Sequence, residues 1–273
     1  MIKSKTIPMV MLSVLLMLIS WLEVYAASSS IELTPSIKAA FDLTAASAES
    51  TVRVKLNGLY SDLSTLKLQY DSREEQIRTL HYNNEQALTV VRQHIKEIDS
   101  SKVNGLETTV NHTKQRYQPL FDQYSALSRR ITLAKSLKDK TLNKVLNAQG
   151  DAMKILVQLA REDIRNKQAQ LKVAKEARTK KIAAARKTLS GIESPQTSIK
   201  SQKSIVTSLN KRLSADWSDF KAAIRKQSPT LTSQSLSSLL SGYRQILASK
   251  QKIIELEQKV AVIISATSKQ MDL

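Results

Sequence analysis

The sequence predicts an all-α protein, and three observations support that class. Only 5 Gly and 5 Pro occur among 273 residues, and the aromatic residues are limited to 2 Trp, 7 Tyr and 3 Phe. Sheet architectures need turn-forming residues at every reversal and β-branched or aromatic residues between them. Long stretches also carry apolar residues three and four positions apart, which is the spacing of a buried helix face. We therefore expect few reversals and long helices.

The N-terminal segment is typical of an export signal. Lys3 and Lys5 precede an apolar run over residues 7–22, and the run ends shortly before the small residue Ala26. This order of a positive start, an apolar stretch and a small-residue cleavage site characterises secretory signals. The run is shorter than the ~20 residues needed to cross a bilayer core. We predict that residues 1–26 are a signal peptide cleaved after Ala26, with an uncleaved anchor as the alternative.

Proline and glycine mark the predicted helix boundaries. Thr34-Pro35, Ser194-Pro195 and Ser228-Pro229 each join a capping side chain to a proline suited to the first helical turn. Asn104-Gly105 predicts a reversal, and Gly191 predicts a helix end. These signals and the apolar spacing predict four helices, at about residues 36–101, 105–190, 196–227 and 230–270.

The apolar stripes differ in width along the chain. Steps of four and three from Val52 to Ile98 meet an apolar residue at eleven of fourteen positions, which is typical of a two-helix seam. The last helix has a wider stripe, which indicates contact with two or three helices. Within the second helix, Pro119 predicts a kink or restart and Gly150 a second weak point.

These helices predict an elongated antiparallel helical bundle. Short connections make sequential helices antiparallel neighbours. We predict that residues 27–273 form a single elongated α-helical coiled-coil domain, in which a long coiled-coil hairpin projects from a three- or four-helix base. The base is expected from about residues 36–58, 145–190 and 196–268, with the hairpin tip near residues 99–106.

No constellation of residues predicts catalysis, a cofactor or a metal ion. The chain contains no Cys, which excludes disulfides, thiolate nucleophiles and sulfur-ligated zinc. His81, His94 and His112 show none of the spacings that place two metal ligands on one helix face. No glycine-rich phosphate loop or nucleophile elbow occurs. We therefore predict a protein that is not an enzyme.

The main functional signal is electrostatic. The formal net charge is +18. Residues 165–187 carry nine basic residues and only Glu176 as an acid, a net charge of +8 in 23 residues. A merely solubilising helix face normally mixes charges of both signs. If the third helix packs beside the second, its lysines extend the same positive field. The residues predicted to bind an anionic polymer are Arg165, Lys167, Lys172, Lys175, Arg178, Lys180, Lys181, Arg186, Lys187, Lys200 and Lys203.

The predicted compartment narrows the choice of partner. Export argues against a cytoplasmic genome, and the few aromatic residues offer no stacking platform for single strands, so nucleic acid is disfavoured. Anionic polymers outside a cell include teichoic acids, acidic polysaccharides and phospholipid headgroups. We predict a secreted protein of the cell envelope that binds such polymers, without a membrane span after signal cleavage. A protein partner through the coiled coil and a homo-oligomer both stay open.

The main alternative is a holdase chaperone of the exported space. A basic, exported protein with helical hairpin arms is similar in architecture to periplasmic chaperones of the Skp type, an analogy at the level of fold alone. A helical pore-forming toxin would need a long apolar segment, and none of sufficient length follows residue 26.

Overall fold

The computed structural model describes residues 31–271, which are 93% helical and contain no strand. The predicted all-α class is confirmed. The predicted signal peptide and its cleavage site after Ala26 lie outside these residues. The six helices of the described residues are α1 (Pro35–Ala46), α2 (Ser50–Glu97), α3 (Ser100–Ser136), α4 (Lys140–Ser190), α5 (Glu193–Arg225) and α6 (Pro229–Met271).

Each of the first two predicted helices is divided in the structure. The helix predicted over residues 36–101 breaks at residues 47–49, and the one predicted over 105–190 breaks at residues 137–139. Two of the three boundaries with a capping residue and proline are found as predicted, whereas α5 begins at Glu193, before Ser194 and Pro195. The Ile37 amide donates to the Thr34 hydroxyl at 3.3 Å, and the Leu231 amide donates to the Ser228 hydroxyl at 3.4 Å.

The break after α1 is a reversal that the sequence did not predict. Phe41 stacks on Tyr60 with ring centroids 4.4 Å apart. In one straight helix these residues would be about 28 Å apart, so α1 must fold back on α2. The Arg53 guanidinium stabilises the turn, since it donates to the carbonyl oxygens of Ala45, Ala46 and Ala48 at 3.0–3.2 Å. It thereby satisfies carbonyls that the end of α1 leaves unpaired.

The described residues divide into two compact units, one of residues 31–83 and 194–260 and the other of residues 84–193 and 261–271. The predicted base included residues 145–190, which instead belong to the second unit. The prediction of a single domain is not tested by this division.

The first unit is built from α1, α5 and the larger parts of α2 and α6. Its core joins the aromatic rings of Phe41, Tyr60, Trp217 and Phe220, with Trp217 and Phe220 stacked at 5.2 Å. Leucines and isoleucines complete the core, as the wide stripe of α6 predicted. Burial of this apolar surface is the main term that stabilises the unit. The remaining buried apolar residues of the cluster include Ile31, Leu56, Leu63, Leu213, Ile224, Leu236, Leu239, Leu240, Tyr243 and Ile246.

The second unit contains an antiparallel hairpin of α3 and α4, which we call the hairpin. A Cβ atom on Gly150 would lie 3.0 Å from Ile131 Cδ1, although these residues would be about 28 Å apart in one straight helix. The chain therefore reverses at residues 137–139, where Lys138 has φ 57°. Gly150 permits the close approach of the two helices and is not a break. Helix α3 also continues through Pro119 without a restart.

The predicted hairpin tip near residues 99–106 is wrong. Helix α4 pairs with both sides of the break between α2 and α3, because Arg178 donates to the Lys96 and Ile98 carbonyls while Lys175 pairs with Glu107. Within the second unit, the end of α2 and helix α3 therefore both run antiparallel to α4, and the chain does not reverse between them. The break is a local change at Asp99, which has φ 50° and ψ 18°. Asn104 and Gly105 lie inside α3.

Candidate functional site: the basic face of helix α4

The basic residues of α4 point in two directions. Ala174, Ala185 and Leu189 are buried and define the side of α4 that faces the rest of its unit. Four exposed cations lie on the opposite side, and at 100° per residue they fall within an arc of about 80°. We call these residues the basic stripe, and they are Arg165, Lys172, Lys180 and Lys187.

The basic stripe has a regular axial spacing. Its members are separated by 7, 8 and 7 residues in the sequence. At a rise of 1.5 Å per residue this places one cation about every 11 Å along about 33 Å of helix. Arg186 is exposed at the edge of the stripe. A continuous helix thus presents a linear array of charges, a geometry suited to a linear partner.

One acidic residue lies within the basic stripe. The Glu176 carboxylate is 4.0 Å from Lys172 Nζ, and both side chains are well exposed. An exposed pair at this separation is worth less than about 1 kcal/mol, so the Lys172 ammonium stays available to an external anion. Arg165, Lys180 and Lys187 form no ion pair within residues 31–271.

Three of the predicted site residues contact other residues of the second unit. Lys181 pairs with Asp99 at 3.2 Å, and Lys175 pairs with Glu107 at 2.5 Å. Arg178 donates to two carbonyls next to the α2–α3 break, at 2.9 and 3.0 Å. Arg178 and Lys181 therefore bind groups at the break, while the side chains of Lys175 and Lys181 stay about half exposed. Lys167 is half-buried away from the stripe.

The two predicted residues of the third helix belong to the first unit. Lys200 is exposed on α5 and Lys203 is half-buried there. The basic stripe is therefore described on α4 alone, within the second unit.

A cleft at the start of the basic stripe adds residues that the sequence did not single out. It has a volume of about 310 Å³ and is lined by Phe121 of α3 and by Arg161, Ile164 and Arg165 of α4. Two guanidinium groups beside an apolar floor are suited to a phosphate or carboxylate attached to an apolar or sugar group. Arg161 is four residues before Arg165, and that spacing was the signal available in the sequence.

Within residues 31–271, no three His, Cys, Asp or Glu side chains are placed to hold a metal ion. No helix in that range is both long enough and apolar enough to cross a bilayer. His81 contacts the buried Glu257 carboxylate at 3.0 Å, while His94 and His112 are exposed.

Comparisons with known proteins do not assign the chain to a family. No family model matches the sequence, and no similar curated protein or solved structure was found.

Proposed function

We propose that this protein is a secreted, non-enzymatic component of the cell envelope that binds anionic polymers through the basic stripe of α4. The observation that carries this proposal is the linear array of exposed cations about 11 Å apart on one continuous helix. A polymer with repeating phosphates or carboxylates can contact successive cations without a fixed local geometry. The export signal predicted in residues 1–26 would bring the stripe to such polymers outside the cytoplasm.

Charge and surface character both favour a polymer over a compact ligand. Between residues 165 and 187 only Val173 is an exposed large hydrophobic residue, so the stripe offers little apolar surface to a folded protein. Binding to it would be driven by charge and by release of counterions, and would weaken as salt rises.

The salt dependence can be estimated from the number of contacts. For four cations we use the coefficient of single-stranded nucleic acids, about −0.7 for each charge contact. The logarithm of the association constant should then fall with a slope of about −3 against the logarithm of salt concentration. Between 50 and 200 mM salt this corresponds to a loss of about 50-fold. The test is titration of the purified protein with soluble polyphosphate and with an acidic polysaccharide over this range.

A matched pair of variants separates the stripe from net charge. The stripe variant replaces Arg165, Lys172, Lys180 and Lys187 with Gln. The control variant replaces one arginine and three lysines that are exposed elsewhere, namely Arg92, Lys55, Lys252 and Lys259, with Gln. We expect the stripe variant to lose most of its affinity and salt slope, and the control to lose little. Equal losses in both variants would show that net charge, and not the stripe, governs binding.

The chaperone alternative stays a prediction. It would be favoured if the stripe variant retained protection of an unfolded client against aggregation while wild-type protein showed no saturable polymer binding.

A further inference from the structure

The end of the hairpin carries a second surface that the polymer proposal does not use. We call residues 129–145 the hairpin tip. They comprise the last two turns of α3, the connection over residues 137–139 and the first two turns of α4. Because the chain reverses here, this segment forms one end of the two-helix hairpin.

The hairpin tip exposes several large apolar side chains within 13 residues of the sequence. Leu133 is 60% exposed, Leu137 67%, Leu142 45% and Val145 52%. Leu133 lies in the last turn of α3 and Leu137, its C-cap, follows four residues later. Leu142 and Val145 are three residues apart at the start of α4, so each pair points to a similar side. Such a cluster at the end of a hairpin is typical of an interaction surface, unlike single scattered residues.

The same segment is strongly basic. It carries six cationic residues against a single acid, Asp139, a net charge of +5 in 17 residues. The Asp139 carboxylate accepts from the Leu142 amide at 3.0 Å and so caps α4. None of the six cations forms an ion pair with another described residue. They are Arg129, Arg130, Lys135, Lys138, Lys140 and Lys144.

We propose that the hairpin tip docks on the surface of a bilayer that contains anionic lipids. Exposed leucines and cations in one segment match the interface of such a bilayer, where apolar side chains enter the acyl boundary and cations meet the headgroups. Charge argues against a second copy of the chain as the occupant, because two tips of charge +5 repel each other. The basic stripe lacks the leucines, which distinguishes a polymer site from a lipid site.

The absence of Cys from the chain allows a local test of this docking. Ser136→Cys places a single label in the hairpin tip, and Ser125→Cys places one about 16 Å away along α3. Both serines are exposed, so the pair is matched in chemistry and solvent access. The label is nitrobenzoxadiazole, whose emission shifts to the blue and brightens in an apolar environment. The full-length protein is used with vesicles of phosphatidylcholine alone or with added phosphatidylglycerol.

Docking predicts a blue shift at residue 136 with anionic vesicles and not with neutral vesicles, and no shift at residue 125. In the Ser136→Cys protein, replacing Leu133 and Leu137 with Ser should weaken the vesicle response at least about tenfold. Replacing Arg129, Arg130, Lys138 and Lys140 with Gln should weaken it by a similar factor or more. The stripe variant should respond like wild type, so the two proposals can fail independently.

Several outcomes would overturn the proposal. One is an unchanged emission at residue 136 with anionic vesicles, and another is an equal response to neutral vesicles. A blue shift that grows with protein concentration without vesicles would identify a second copy as the occupant. A response to soluble polyphosphate that equals the response to vesicles would identify a polymer as the ligand. Circular dichroism of each variant confirms that its helicity is retained.

Discussion

A buried ion pair in the first unit gives the sharpest test of how this structure is stabilised. Lys250 on α6 is 1% exposed, and its ammonium pairs with the Glu74 carboxylate of α2. The same ammonium lies 3.6 Å from the ring centroid of Tyr70, whose hydroxyl is 3.4 Å from Asn210 Oδ1 on α5. Burial lowers the pKa of Lys250, and Glu74 offsets part of that effect. The Lys250 charge is therefore tolerated mainly because of its two neighbours.

Removing the Glu74 carboxylate should destabilise the protein more than removing the Lys250 ammonium. Glu74→Gln leaves a buried ammonium without a counterion, a change that costs about 3–5 kcal/mol for a fully buried pair. Because Glu74 is 43% exposed, solvent screens the pair and we expect about 2 kcal/mol of lost stability. Lys250→Met removes the buried charge and leaves a carboxylate that water can reach. We expect its stability at pH 7 to stay within about 1 kcal/mol of wild type.

The pH dependence of Glu74→Gln supplies an independent check. Burial lowers the pKa of Lys250 and Glu74 raises it, so Glu74→Gln should lower the folded-state pKa further than in wild type. The folded variant then loses this proton before the unfolded chain does as pH rises. The unfolded state then binds more protons, so stability rises with pH relative to Lys250→Met. The destabilisation by Glu74→Gln should accordingly shrink between pH 7 and about pH 9.5, below the usual range of tyrosine ionisation. Burial also raises the pKa values of Tyr70 and Tyr243, so neither ionises in this window.

Urea unfolding followed by circular dichroism at both pH values measures these differences. The double variant Lys250→Met with Glu74→Gln should be about as stable as Lys250→Met alone, because neither variant contains the buried ammonium of Lys250. The reasoning is refuted if Glu74→Gln is as stable as wild type at pH 7, or if Lys250→Met loses more stability than Glu74→Gln.

Two further predictions concern the backbone. Gly105→Ala should stabilise the protein by up to about 1 kcal/mol, because a Cβ atom at this helical position meets nothing within 4 Å. Gly242→Ala should destabilise the protein, because its Cβ atom would lie 2.9 Å from Leu213 Cδ1. Thermal unfolding of the two variants compares them directly, and the same sign in both would contradict the packing argument. Lys138→Gly should raise stability by roughly 0.5–1 kcal/mol because Lys138 occupies the left-handed region at φ 57°, and an unchanged or lower melting temperature would contradict this account.

The local signals of the sequence predicted helix class and several boundaries well. Thr34 with Pro35 and Ser228 with Pro229 act through side chains and ring geometry within a few residues, so their effect does not depend on distant packing. The breaks at residues 47–49 and 137–139 carry no glycine or proline. They exist because Phe41 stacks on Tyr60 and α4 approaches α3 at Gly150, contacts between residues distant in sequence.

The candidate site, like the fold, could be predicted from the sequence only in part. The excess of cations in residues 165–187 is a property of composition, and it could be read from the chain. Which cations form contacts inside the unit could not, because Lys175, Arg178 and Lys181 bind Glu107, the carbonyls near the α2–α3 break and Asp99. Those partners are defined only once α4 lies antiparallel to α2 and α3.

By itself, therefore, the sequence determined that the chain is helical, basic and free of cysteine, because composition, apolar spacing and capping act locally. Tertiary structure determined where the chain reverses and which lysines and arginines form contacts inside the second unit. It also decided that the exposed leucines and cations of residues 129–145 share one hairpin end. The physical reason is that a reversal or an ion pair is selected by the free energy of contacts between helices, and those contacts join residues too far apart for any local pattern to specify.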